Sequence, residues 1–566
     1  MAEQKSHVVP VKRLMRLLGK ERNVIYAIFF YAALNGVVVL ILPLGIQAVL
    51  TFLLGGRLTA TWVLLVVFIM AALIFAGLMR VAQISLVERL QQRIFAKASY
   101  EISYRIPKFR AESMYRKYAP ELINRFFDVM NVQKGVLKIL IDFITASLEI
   151  FFGLILLSVY HPVFLGYSIS LVIFIYLLFK WTSPKAIATK LKESSAKYKM
   201  AYWLQEVSRN LGTFKLAGKS LMPQEKVDEI AEEYLHSRQS HFKVLITQFM
   251  FMIGFKVITV GVLLIVGSLL LINDEISIGQ FVAAEVIIIL LISSIEKVIL
   301  SLETIYDTVV GAEKVGAITD VDLESEEGEV VSELSELGFK LEFDNVSFSY
   351  PGMSEPTLSN FTLHVEKGKK VVIAGEDGTG KSTVLQLAAG IYDSYKGSIF
   401  VNDAELKMMN LRDYRSRLSD SMSQQTIFNG TIKENITLNR SGIKEADYKR
   451  SLELSNLLPY IKSLPNADYE KLLPKGEYIP QDISRKIILA RSFCNPAELM
   501  LLESPVLELS KSEQLKILDY IFELPCTLLA VSNDNQVLKR ADMIITLDNG
   551  TIDFSGDYEA YKAQKR

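Results

Sequence analysis

The chain has 566 residues, more than one hydrophobic core accommodates, so at least two domains are expected. Lys plus Arg equals Asp plus Glu at 62 each, so no global charge excess points to nucleic acid or to an acidic partner. Half the residues are apolar and the mean hydropathy is +0.28, high for a soluble protein throughout; a membrane portion diluted by a soluble one is expected. The two cysteines, Cys494 and Cys526, indicate no disulfide framework, in keeping with a reducing cytosol.

Residues 1–22 are basic, and no apolar core precedes Val24, so they do not form a secretory signal. Leu and Met alternating with Lys12, Arg13, Arg16, Lys20 and Arg22 suit a short cytoplasmic amphipathic helix on the membrane surface, or a disordered basic start. Six apolar runs follow, at 24–54, 61–79, 136–160, 162–180, 244–272 and 279–302. Each reaches the ~20 residues that a helix needs to cross a bilayer. The runs pair through short connections, such as His161-Pro162, and are otherwise separated by long ones rich in Lys and Arg. The positive-inside rule puts the long connections and the N-terminus on the cytoplasmic side. Few glycines and prolines, and charges at three- and four-residue spacing, make the long connections helical extensions of the spans. Residues 23–318 are thus expected to form an all-α transmembrane domain with six helices.

Residues 319–340 are acidic and poor in apolar residues, as a linker is. From 341 to 566 strand and helix signals alternate, as in an α/β domain. Within it GEDGTGKST, Gly375 through Glu376, Asp377, Gly378, Thr379, Gly380, Lys381 and Ser382 to Thr383, follows the apolar run Val371 to Ala374 and opens a helix. It fits the phosphate-loop pattern at Gly375, Gly380, Lys381 and Ser382. Glycines let successive backbone N–H groups point inward at an anion, and the helix start adds its positive end. Lys381 can neutralise β and γ phosphates, and the Ser382 hydroxyl can ligate Mg²⁺.

This order of features resembles ABC transporters, specifically the exporter type, with six transmembrane helices fused to an α/β P-loop NTPase nucleotide-binding domain. The resemblance covers nearly the whole chain. It implies ATP and Mg²⁺ as cofactors and a second half-transporter chain as partner, identical or different. It also implies a transported substrate and a bilayer, here a bacterial inner membrane with the nucleotide-binding domain in the cytoplasm. In FDNVSFSYPG, Tyr350 would stack on adenine. MSQQTIFNGTIKENI resembles the glutamine loop, where Gln424 or Gln425 would meet Mg²⁺. Short helices near 115–130 and 203–215 would sit in grooves of the nucleotide domains. EISIGQFVAAE is more similar to protein-secreting exporters than to general drug pumps.

The catalytic motifs depart from the family together. Where the signature LSGGQ belongs, before Leu489-Ala490-Arg491, the chain has IPQDI, Ile479 to Ile483. The serine and glycines that would present N–H groups and a hydroxyl to γ-phosphate are gone, and Pro480 has no N–H to give. The Walker B strand reads Leu499-Met500-Leu501-Leu502-Glu503-Ser504. With the strand ending at Glu503, that carboxylate holds the Mg²⁺ site and Ser504 replaces the glutamate base. Counted from Pro496 instead, Glu503 is itself the base. A serine has no carboxylate to position or deprotonate water, a loss of ~10²–10⁴ in rate. Asn533 stands where the switch histidine belongs and cannot act as a proton donor near neutral pH.

Glu149, Lys256 and Glu285 lie within spans, either as a polar path or as charges paired or set at the bilayer edge. The expected function is an exporter subunit that binds Mg-ATP and hydrolyses it weakly or not at all by itself. A nucleotide-gated channel or ATP-sensing scaffold is a second reading. A homodimeric exporter using Glu503 as base is a third. No nucleic-acid motif is present in the sequence.

Overall fold

The computed structural model describes residues 10–19, 21–56, 60–330, 338–422, 425–495, 497–504 and 509–564. It forms two compact units, Met1–Pro107 with Lys117–Val321, and Lys108–Arg116 with Asp322–Arg566. Gln424 and Pro496 lie outside the described residues.

In the first unit six helical stretches are long and apolar enough to cross a membrane among the described residues. They are Arg22–Leu54, Ala60–Lys108, Ala119–Tyr160, Pro162–Arg209, Met222–Ile272 and Ile278–Thr319. The expected helical extensions are therefore continuous with the spans. Leu64, Phe68 and Ile265 stay exposed in mid-span, which suits hydrocarbon and not water.

Two spans are less regular than their composition suggests. The first divides at Leu40 into Arg22–Val39 and Ile41–Leu54. Pro43 lacks the N–H that would have bonded Val39, so the ladder breaks one turn before it. The third contains a π-turn at Ile139–Phe143. Such a turn frees a carbonyl, and the buried Gln83 Nε2 donates to Leu140 O at 2.9 Å and lies 3.3 Å from Thr145 Oγ1.

The N-terminal helix Pro10–Gly19 is packed on protein as well as amphipathic. Arg13 pairs with Glu313 at 2.8 Å and Asp320 at 2.5 Å, and Leu14 is buried. The face expected to lie on a membrane is here partly taken by the end of the sixth span. Of the intramembrane charges, buried Glu149 accepts from Ser294 Oγ at 2.7 Å, with Lys297 Nζ 3.7 Å away. Lys256 is exposed and Glu285 half-buried, and neither forms an ion pair among the described residues.

The second unit is an α/β domain. Its strands are β1 Leu341–Phe348, β2 Leu358–Val365, β3 Lys370–Ala374, β4 Lys396–Val401, β5 Ala404–Glu405 and β6 Leu418–Ser421. They continue as β7 Gly430–Thr431, β8 Lys471–Leu472, β9 Leu499–Glu503, β10 Thr527–Val531, β11 Met543–Asp548 and β12 Thr551–Gly556. One sheet has the order β2-β1-β4-β5, another β12-β11-β3-β10-β9-β6, and β7 pairs with β8. In the six-stranded sheet β11, β3, β10, β9 and β6 run parallel. Alternation divides each strand between two cores. Val371, Ile373, Leu499 and Leu501 face one, and Val372, Ala374, Met500 and Leu502 the other. Burial on both faces explains why these strands are continuous apolar runs in the sequence.

Phe343 is fully buried in the first of these cores, edge-on to Phe361 at 5.2 Å. Phe343→Ala should destabilise the second unit by about 3–5 kcal/mol. Denaturant or thermal unfolding of the chain in detergent measures this, and an unmoved midpoint would contradict the packing described.

Candidate nucleotide site

The parallel order β3-β10-β9 fixes the site. The strand ends at Ala374, Val531 and Glu503 open on one edge, because β10 registers Val531 against Glu503 and against Ile373. The chain leaves β3 through Gly375 to Gly380 and enters the helix Lys381–Ala388. Gly380 has φ +99°, and a Cβ there would sit 2.9 Å from both Thr357 O and Leu358 Cδ2, so only glycine fits. Thr379 Oγ1 closes the loop by donating to Glu376 O at 2.9 Å, and Asp377 and Gly378 are exposed on it.

Lys381 is buried, and its ammonium donates to the carbonyls of Gly375, at 2.9 Å, and Glu376. Ser382 Oγ donates to Glu503 Oε1 at 2.6 Å. Glu503 is the last residue of β9. Ser504 follows with φ +47°, left-handed, its N–H donating to Val531 O at 2.8 Å. Arg485, from the helix Gln481–Cys494, donates to the carbonyls of both Glu503 and Ser504 at 2.7 Å. That clamp on the strand end had no signal in the sequence.

Asn533 makes a two-point amide pair. Its Nδ2 donates to Gly375 O at 2.9 Å, and its Oδ1 accepts from Gly375 N–H at 3.0 Å. The side chain in the switch position is thereby spent on the first glycine of the loop. Of the two candidate glutamines, Gln425 donates through Nε2 to the carboxylate of Asp420. Burial raises the Asp420 carboxyl above its ordinary range.

Pro480 precedes the first turn of the helix Gln481–Cys494, and Asp482 lies within that turn. A carboxylate there offsets the helix's positive end and would repel a phosphate. Lys486, one turn on, pairs with Asp482 at 3.5 Å and Glu513 at 2.7 Å. Burial works to raise the Glu513 carboxyl, but bonds from Lys486, Ser510 and Asn456 outweigh it and hold it at about 2.

Tyr350 Oη lies 2.9 Å from Thr383 Oγ1 and donates to Gln386 Oε1 at 2.9 Å, so the ring is tied to the phosphate-loop helix. Its ring stacks on Tyr115, with centroids 5.2 Å apart and planes 14° apart. Tyr115 and Gln386 went unnoticed in the sequence because nothing local marks either.

The donors suit a nucleoside triphosphate with Mg²⁺. A glycine loop, a helix start and an ammonium that donates to two carbonyls and lies 3.6 Å from Asp377 suit an anion cradle. One hydroxyl and one carboxylate at bonding distance suit a Mg²⁺ ion that brings its remaining ligands as phosphates and water. The ion would supply neutralisation of developing phosphate charge; Ser382 and Glu503 would hold it.

Asn533→Ala removes both bonds to Gly375, about 0.5–1.5 kcal/mol each. If the amide braces the loop, ATP and ADP affinities should fall together by roughly 5- to 150-fold, as titration calorimetry would report. Loss confined to ATP would instead make Asn533 a γ-phosphate contact.

Residues 25–295 match the family model described as ABC transporter transmembrane region, and residues 358–507 match that described as ABC transporter. The Transport/processing ATP-binding protein ComA of Streptococcus pneumoniae serotype 4 is 22% identical over 553 residues, 97% of this chain and 76% of that one. ComA of a second S. pneumoniae strain is 24% identical over 449 residues, 78% of this chain and 62% of its own. The ABC multidrug transporter atrD of Emericella nidulans is 32% identical over 254 residues, 43% of this chain and 18% of that one. In fold, the chain is similar to a bacterial Atm1-family ABC exporter with ATP bound, at TM-score 0.83, 17% identity and 96% coverage of both chains. With the membrane region and the nucleotide-binding domain matched in that order on one polypeptide, the chain belongs to the ABC transporters of the exporter type.

Proposed function

We propose that this chain is a half-transporter of an ATP-dependent exporter. It grips Mg-ATP and turns it over weakly or not at all by itself. The observation that carries this reading is the end of β9. Glu503 is bonded to the hydroxyl that would meet Mg²⁺, and the next residue is a serine held in a left-handed turn. That serine has no carboxylate to prepare water for attack. Asn533 braces the loop, and the helix start at Pro480 and Asp482 offers a γ-phosphate poor support. These losses fall in both halves of a composite site, so two copies of this chain would form two poor sites, and brisk turnover would have to come from a different partner chain.

In this reading Tyr350 receives the base, Gly375 to Thr383 the phosphates, and Ser382 with Glu503 the metal. Gln424 is the remaining candidate for a metal contact across the glutamine loop. The partner is a second half-transporter chain, identical or not. The six spans lie in a bacterial plasma membrane, and the nucleotide-binding domain is on the cytoplasmic side, as the Lys- and Arg-rich long connections favour.

Binding separates the two roles open to Glu503. Lys381→Ala should weaken ATP binding by roughly 10- to 150-fold, the worth of a charged hydrogen bond of about 1.5–3 kcal/mol. Glu503→Gln should shrink the Mg²⁺-dependent part of the affinity. If Glu503→Gln leaves Mg-ATP affinity intact and removes measurable hydrolysis, Glu503 is the base and the chain is a catalyst in its own right.

A further inference from the structure

A piece of the chain lying between the second and third spans belongs to the nucleotide-binding unit. Residues Lys108–Arg116 pack with Asp322–Arg566. Arg110 N–H donates to Asp322 O at 3.0 Å, and Glu324 N–H donates to Lys108 O at 2.8 Å. Glu112 Oε1 accepts from the backbone N–H groups of Asp393 and Ser394 at 2.8 and 3.2 Å, and Arg110 pairs with Asp393. Beyond these anchors Arg116 reaches the sulfur of Met353 at 3.3 Å. Tyr115 is thus fixed from both sides, and its ring lies parallel to that of Tyr350.

We infer that Tyr115 is a positioning residue for base recognition, acting through Tyr350; this rests on the reading of the loop as an ATP site. Tyr350 has two constraints. Its hydroxyl is tied to Thr383 and Gln386 on the phosphate-loop helix, which sets where the ring's far end lies. The Tyr115 stack on its face, with Phe348 and Tyr392 edge-on at 5.0 and 5.4 Å, sets the plane of the ring. With hydroxyl and plane both fixed, the ring loses little freedom when a flat base stacks on it. Base stacking on an aromatic ring is sensitive to the size of the π-face, so a fixed platform favours a purine over a pyrimidine. The segment that sets the platform is contiguous with two membrane spans, whereas the phosphate cradle is built from the loop and helix start that follow β3.

The test compares three probes on the full chain in detergent: ATP, UTP and inorganic tripolyphosphate, by titration calorimetry. Tyr115→Ala should weaken ATP by about 2- to 12-fold, the range expected for one offset stack. It should weaken UTP less and leave tripolyphosphate unchanged, which also shows that the variant is folded. Tyr115→Phe, keeping the ring, should bind ATP within about twofold of wild type. Unchanged or tighter ATP binding by Tyr115→Ala overturns the inference, as does an equal loss for all three probes. Lys381→Ala serves as the control on the underlying reading. If it leaves ATP and tripolyphosphate binding intact, the loop is not the site, whatever Tyr115 does.

Discussion

Ser382 donates to Glu503 at 2.6 Å, and that bond joins the start of the phosphate-loop helix to the end of β9. The rest of the nucleotide site is arranged around the sheet edge that makes it. Because β10 lies between β3 and β9, Val531 delivers the next residues, including Asn533, to the first glycine of the loop. Ser504, tied to Val531 O and to Arg485, turns the chain away immediately after the carboxylate. In the proposed reading the position after the metal-holding carboxylate thus carries a hydroxyl. Ser504, Asn533 and Pro480 each have their own structural use. The first sits in a left-handed turn, the second pairs with Gly375 and the third starts a helix.

Holding a triphosphate and cutting it make different demands. Holding needs inward N–H groups and a counter-charge, which a glycine loop, a helix start and Lys381 supply at small cost in sequence. Cutting needs a base aligned on water and donors aimed at charge that exists only in the transition state. Lys381, a glycine loop and a helix start stand together here, and in the proposed reading the second set is replaced. In the proposed reading ATP serves as a ligand that draws two domains together.

Much of this was legible in the sequence, for physical reasons that differ by region. Six apolar runs announce six helices because a bilayer tolerates little else, and β3 and β9 show as unbroken apolar runs because both faces of their sheet are buried. Gly375 to Ser382 could be read as a tight strand-to-helix loop, because the turn found there needs glycine at Gly380. What escaped depends on partners distant in sequence. Gln83 capping the π-turn, Arg13 meeting Glu313 and Asp320, and Arg485 holding Glu503 and Ser504 have no local pattern. Tyr115 is the clearest case, since its stacking partner lies in the other apparent domain of the sequence. The break at Leu40 was readable in principle from Pro43, but the apolar run around it hid the signal.

Steady-state phosphate release by the purified full-length chain in lipid nanodiscs, with Lys381→Ala alongside, tests the central claim most directly. The account predicts that saturating Mg-ATP gives a rate close to that of Lys381→Ala, although the wild type binds ATP at least about tenfold more tightly than the variant. Robust release by the wild type that disappears in Lys381→Ala would contradict it.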